Sequence, residues 1–209
     1  CHCYVDAGAD LKLALDIVVD AKTQYVAVCN ATETLLVHQD VAPQYLPLLK
    51  EEMDRRKVEL VGCAETRKII EVGPAAEEDW KTEYLDYKLS IKVVNHIQEA
   101  IEHINTYGSG HTDAIISNSK ENVETFMNLV DSGNVFWNCS TRFSDGFRYG
   151  LGAEVGISTS KIHARGPVGL EGLVIYKYKL VGQGQVVADY ASKNKTFKHI
   201  KLDKKFGLD

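Results

Sequence analysis

Cys29 stands in the run Lys22-Thr-Gln-Tyr-Val-Ala-Val-Cys29-Asn30-Ala31-Thr32-Glu33-Thr34-Leu-Leu-Val-His38. It falls between a helical segment and a strand, where a side chain can be offered to a cleft. Ala27, Asn30, Ala31 and Thr32 leave room around the sulfur. An ionised thiol in such a place is a nucleophile, and a short helical turn starting there would favour the thiolate through its amides. An inert, core-packed cysteine fits the same spacing, and spacing alone leaves both readings open.

A second group of chemistry-bearing residues, Ser140, Thr141 and Arg142, follows the apolar run Val135–Trp137. Polar residues just past a buried strand can line a cleft. The guanidinium fork of Arg142 matches a carboxylate or a phosphate, or it ties the following glycine-rich loop to the domain. His111 and His163 are candidate proton carriers, or they satisfy backbone carbonyls in glycine-rich turns. Arg165 and Glu171 read as a structural ion pair, and Phe147 and Tyr149 as packing or an aromatic wall. Cys1-His2-Cys3 has no second Cys/His pair at zinc spacing, so no metal site is expected.

The elements that must position these groups follow from periodicity. Asp10 can cap a helix whose buried stripe is Leu11, Ala14, Leu15 and Val18. Pro43 suits a first turn ahead of Leu46, Leu49 and Met53. Asn95-x-x-Gln98 and Asn118-x-x-Glu121 resemble capping boxes for helices striped by Ile97, Ala100, Ile101 and Ile104, and by Val123, Phe126, Met127 and Val130. Gly108 suits a C-terminal cap. Between them lie β-rich runs at Cys3–Val5, Thr34–Val37, Val58–Val61, Leu85–Val94, Ala114–Ser117 and Val135–Trp137. This alternation predicts an α/β fold, a mostly parallel sheet with helices on both faces. Seven glycines between Gly146 and Gly172 suit tight turns and close backbone approach. Leu173–Val181 and Val186–Tyr190 then read as two strands joined by Gly-Gln-Gly, and Lys193–Asp209 as a short strand and a tail.

The chain has 209 residues, 44% of them apolar, and a formal charge of −5. That mixed, mildly acidic surface makes no electrostatic case for nucleic acid. No apolar run approaches the ~18 residues of a spanning helix, so no membrane segment is expected. Five scattered cysteines do not form a disulfide framework, and a reducing, cytoplasmic setting is expected. The start lacks the basic and apolar regions of a signal peptide and runs directly into a strand, which suggests part of a longer protein.

Val28–His38 (V-C-N-A-T-E-T-L-L-V-H) resembles the nucleophile motif of the γ-glutamyl phosphate reductases, or glutamate-5-semialdehyde dehydrogenases, of the aldehyde dehydrogenase superfamily. Trp137–Thr159 resembles the family's N-x-S-T-R-F-x-D-G and G-L-G-A-E-V-G-I-S-T blocks. His163–Leu173 resembles its H-A-R-G-P-V-G-L-E-G-L block, and Tyr107–Ile115 is a further match. The resemblance implies a three-layer αβα catalytic domain over residues 1–171, and an oligomerisation hairpin and tail over residues 172–209. It also implies an NADPH-binding domain ahead of this chain, in which no G-x-G-x-x-G loop follows a strand.

The chemistry implied is reduction of L-glutamyl 5-phosphate to glutamate 5-semialdehyde and phosphate with NADPH, in proline biosynthesis. Cys29 would form the thioester, and Asn30, Ser140, Thr141 and Arg142 would contact substrate. Glu83 occupies the place of the glutamate in the superfamily's E-x-F-G-P motif, which binds the nicotinamide ribose; the F-G-P part is missing here. The isolated chain would be inactive. A homodimer or homotetramer is implied, with possible association with glutamate 5-kinase. The alternatives are the reductase half of a bifunctional pyrroline-5-carboxylate synthase, another aldehyde dehydrogenase, and a non-catalytic assembly domain.

Overall fold

The computed structural model describes residues 1–161 and 164–199. Its elements are β1 (His2–Val5), α1 (Leu11–Thr23), β2 (Thr34–His38), α2 (Ala42–Arg55), β3 (Glu59–Gly62), α3 (Ala64–Ile69) and β4 (Gly73–Pro74). They continue with β5 (Lys88–Val94), α4 (Ile97–Tyr107), β6 (Thr112–Ile116), α5 (Lys120–Leu129) and β7 (Asn134–Trp137). The strands form one sheet in the order β4-β3-β5-β2-β1-β6-β7, and every pairing is parallel.

The order explains the layers. From β1 the chain steps one way to β2, β3 and β4 through α1, α2 and α3; from β5 it steps the other way to β6 and β7 through α4 and α5. Right-handed crossovers therefore place the two helix sets on opposite faces. Tyr4, Leu35, Leu36, Leu89, Ile91 and Ile115 are fully buried, as strands covered on both sides must be.

Local signals act much as the sequence suggests. Asp10 caps α1 by accepting from the amides of Lys12 and Leu13, Pro43 lies in the first turn of α2, and Gly108 ends α4. Two caps differ by one residue. His96 Nδ1, not Asn95, accepts from the Glu99 amide at the start of α4, and Ser119, not Asn118, caps α5. The Glu99 carboxylate instead accepts from Asn95, whose backbone amide donates to Glu99 Oε2 at 2.8 Å.

Residues Cys1–Leu173 form one compact unit and Val174–Asp209 a second. The strands expected over Leu173–Val181 and Val186–Tyr190 do not form. That stretch is irregular apart from a short helix, Val187–Ala191. Ile175 and Leu180 are almost fully exposed. A two-stranded hairpin with nothing packed on either face has too little burial to order itself. No described helix is long and apolar enough to cross a membrane.

Candidate active site

The Cys29 loop leaves the end of α1 and enters β2, and a buried ion pair closes its base. Lys22 Nζ donates to Glu33 Oε2 at 2.5 Å, and both side chains are buried. Lys22 continues the α1 stripe of Ala14 and Val18, so an ammonium stands where an apolar residue is expected. Burial acts against both charges, holding the Glu33 carboxyl up and the Lys22 ammonium down, and each partner opposes that effect. The other Glu33 oxygen accepts from the amide of Leu85 (3.3 Å), a left-handed residue with φ 54.

The Ser140–Arg142 turn follows β7 in sequence yet lies at the amino ends of the strands. Asn138, also left-handed, reverses the chain while its amide group bonds both backbone groups of Ser117. The returning chain meets Thr112, the first residue of β6, whose hydroxyl donates to Ser144 Oγ at 2.8 Å. Thr141 Oγ1 donates to the Asn30 carbonyl at 2.7 Å, and Asn30 Nδ2 donates to the Ser144 carbonyl at 2.7 Å. Asn30 Oδ1 is buried without a partner among the described residues. Ser140 Oγ accepts from the Arg142 amide. Cys29, Asn30, Ser140, Thr141 and Arg142 are thus one assembly.

Cys29 itself is exposed, and no backbone acceptor uses its amide among the described residues. The helical turn expected to favour its thiolate is absent, since residues 28–30 form only a bend and turn. Its thiol lies above the ordinary range: partial burial is the largest cause, followed by the nearby Glu154 carboxylate. Glu83 acts in the same direction, while the Cys29 backbone amide and Arg142 oppose them. The glycine-rich stretch brings Glu154 here. Gly146 packs against the Ala153 carbonyl with no space for a Cβ, and its amide donates to Glu154 Oε2 at 2.7 Å. Glu83 is exposed in the loop before β5, and its carboxylate bonds no described residue.

By sequence, the chain is a close homologue of the γ-glutamyl phosphate reductases. The one from Acetivibrio thermocellus is 73% identical over 208 residues, covering 100% of this chain and 48% of that protein. The one from Pelotomaculum thermopropionicum is 69% identical with the same coverage. The chain spans about half the length of the curated relatives it matches. The crystal structure of γ-glutamyl phosphate reductase from Thermotoga maritima is 48% identical, with a TM-score of 0.85, over 89% of this chain and 45% of that one. A 1-pyrroline-5-carboxylate dehydrogenase from Thermus, 18% identical with a TM-score of 0.53, shares the fold. The fold is therefore that of the aldehyde dehydrogenases. No family model matches.

Other sequence expectations fare differently in this γ-glutamyl phosphate reductase homologue. Arg165 does not pair with Glu171; it binds Asp131 Oδ1 at 3.1 Å and the Gly110 carbonyl at 3.0 Å, because its loop returns beside the β6 approach. Among the described residues the His111 ring bonds no carbonyl. Its Nδ1 lies 2.8 Å from Thr112 Oγ1, and burial brings the ring down to about 4. It touches Cys1, whose thiol donates to the Cys29 carbonyl at 3.1 Å. His163 lies outside the described residues. Tyr149 donates to Asn134, and Phe147 is exposed. Among the described residues no group of three His, Cys, Asp or Glu side chains is placed to hold a metal ion.

Proposed function

We propose that the Cys29 thiolate attacks the acyl carbon of L-glutamyl 5-phosphate, expelling phosphate and forming a thioester. Reduction then releases glutamate 5-semialdehyde. The observation that carries this reading is an exposed thiol in a loop bonded to the Ser140–Arg142 turn. Sulfur is the right atom, since a thioester accepts hydride where a carboxylate does not. The Cys29 amide, which no backbone acceptor uses among the described residues, is a donor for the oxyanion that develops at the acyl oxygen.

NADPH would supply the hydride. Glu83 would hold its ribose hydroxyls: an exposed, uncommitted carboxylate near Cys29 has the acceptors that a diol requires. Most of the cofactor surface is proposed to belong to the rest of a full-length reductase, because this chain has no glycine-rich phosphate loop after a strand. The exposed apolar side chains of Ile175, Leu180 and Val181 are proposed to be covered in an oligomer.

The test is phosphate-dependent NADP reduction by the full-length enzyme with glutamate 5-semialdehyde. Cys29→Ala is expected to abolish it. Retained turnover, or turnover independent of phosphate, would overturn the reading.

A further inference from the structure

A cavity of about 190 Å³ is lined by Asp20, Gln24, Arg142, Phe143 and Arg148, so the turn bonded to the Cys29 loop forms one of its walls. Asp20 and Gln24 are four residues apart at the end of α1 and so share one face. Gln24 Oε1 accepts from Arg142 Nε at 3.0 Å, which fixes the plane of the guanidinium. The two terminal nitrogens of Arg142 make no hydrogen bond among the described residues. Arg148 is held from behind: its Nη1 donates to the Arg142 carbonyl at 2.8 Å and lies 3.3 Å from Asp145.

Among the described residues the Asp20 carboxylate has no hydrogen bond and no ion pair, although it lines the same cavity as both arginines. An acid and two guanidinium groups that line one cavity without pairing with each other match a ligand carrying both signs. A phosphate would satisfy the arginines and be repelled by Asp20. A carboxylate with an adjacent ammonium satisfies all three.

We propose that this cavity binds the zwitterionic α-amino acid head of the substrate, Asp20 taking the ammonium and Arg142 with Arg148 the carboxylate. This deepens the proposed function and rests on it. The acyl end is then directed towards Cys29, since Arg142 lines the cavity and its charge also acts on the thiol. Asp20 and Arg148, both solvent-exposed, are specificity residues: a substrate that covers them but lacks the matching charge strips their water without replacing it.

The test compares glutamate 5-semialdehyde with 5-oxopentanoate, which lacks only the amine, on the full-length enzyme and its Asp20→Asn variant. The expected result is a preference for the amine-bearing substrate that falls about tenfold in the variant, through KM rather than kcat. Asp20→Glu should restore part of it, and Arg148→Gln should raise KM for both substrates. An unchanged preference in Asp20→Asn overturns the assignment.

If the unaltered enzyme shows no Cys29-dependent turnover, the reaction proposed above fails separately. The cavity is then judged by binding alone. L-glutamate should raise Tm more than glutarate does, and Asp20→Asn should erase that difference; equal shifts in the unaltered enzyme overturn the assignment.

Discussion

Thr141 Oγ1 donates to the carbonyl of Asn30, the residue after Cys29, across 111 positions of sequence. Its single proton is thereby committed, so at 3.2 Å from Thr32 Oγ1 it must accept. Thr32 in turn accepts from the thiol of Cys3 at 3.1 Å, which burial pushes up to about 12 and keeps neutral. A directed chain of hydrogen bonds thus runs from the sheet to the nucleophile loop.

Thr141→Val removes the donor and leaves the Asn30 carbonyl and Thr32 hydroxyl buried without their partner. The expected loss is about 1–3 kcal/mol of stability, read by urea titration. Turnover should fall further than stability, because the Cys29 loop loses its tie to the Arg142 turn. Full activity in this variant would show that the loop is held by other contacts.

Cys29 should alkylate more slowly at neutral pH than an unhindered thiol, with a rate still rising above pH 9. Removing a neighbouring negative charge favours the thiolate, so Glu154→Gln should move the midpoint of iodoacetamide reaction to lower pH. Arg142→Gln should move it higher. A midpoint indifferent to Glu154 would separate that carboxylate from the thiol.

Lys22→Met leaves Glu33 as a buried, uncompensated charge and should destabilise the protein by about 3–5 kcal/mol. Lys22→Met combined with Glu33→Leu should recover much of that loss, as measured by thermal unfolding. A double variant no better than the single would show that Glu33 is needed for its bond to Leu85.

His103 gives the fold an acid sensitivity. Burial is the main cause of its fall from 6.5 to about 3, with His2 and Lys92 adding to it, and Lys92 lies 3.2 Å from its Nδ1. The unfolded chain binds a proton below pH 6.5 while the folded one does not, so stability is present above that pH and declines as pH drops towards 3. The slope should reach about 1.4 kcal/mol per pH unit for this histidine. Urea midpoints between pH 7 and 4 should fall less steeply in His103→Phe.

The alternation of apolar runs, the caps at Asp10 and Gly108 and the buried β-rich segments determined an α/β fold with a parallel sheet. Those are local properties, written within a few residues. The motif around Cys29 and the S-T-R-F block are likewise local, and the fold brings the two segments together. The neighbourhood of Asp20, Gln24, Arg142 and Arg148 was not legible, since α1 and the turn after β7 are joined only by the fold. Lys22 on a buried helix stripe was a local signal of its partner, but not of which acid would answer it. The missing C-terminal strands have the opposite cause: their β-propensity was read correctly as composition, but a strand needs a partner surface, and propensity does not supply one. Tertiary structure alone decided which distant polar atoms meet, because each buried donor had to find an acceptor that no periodicity specifies.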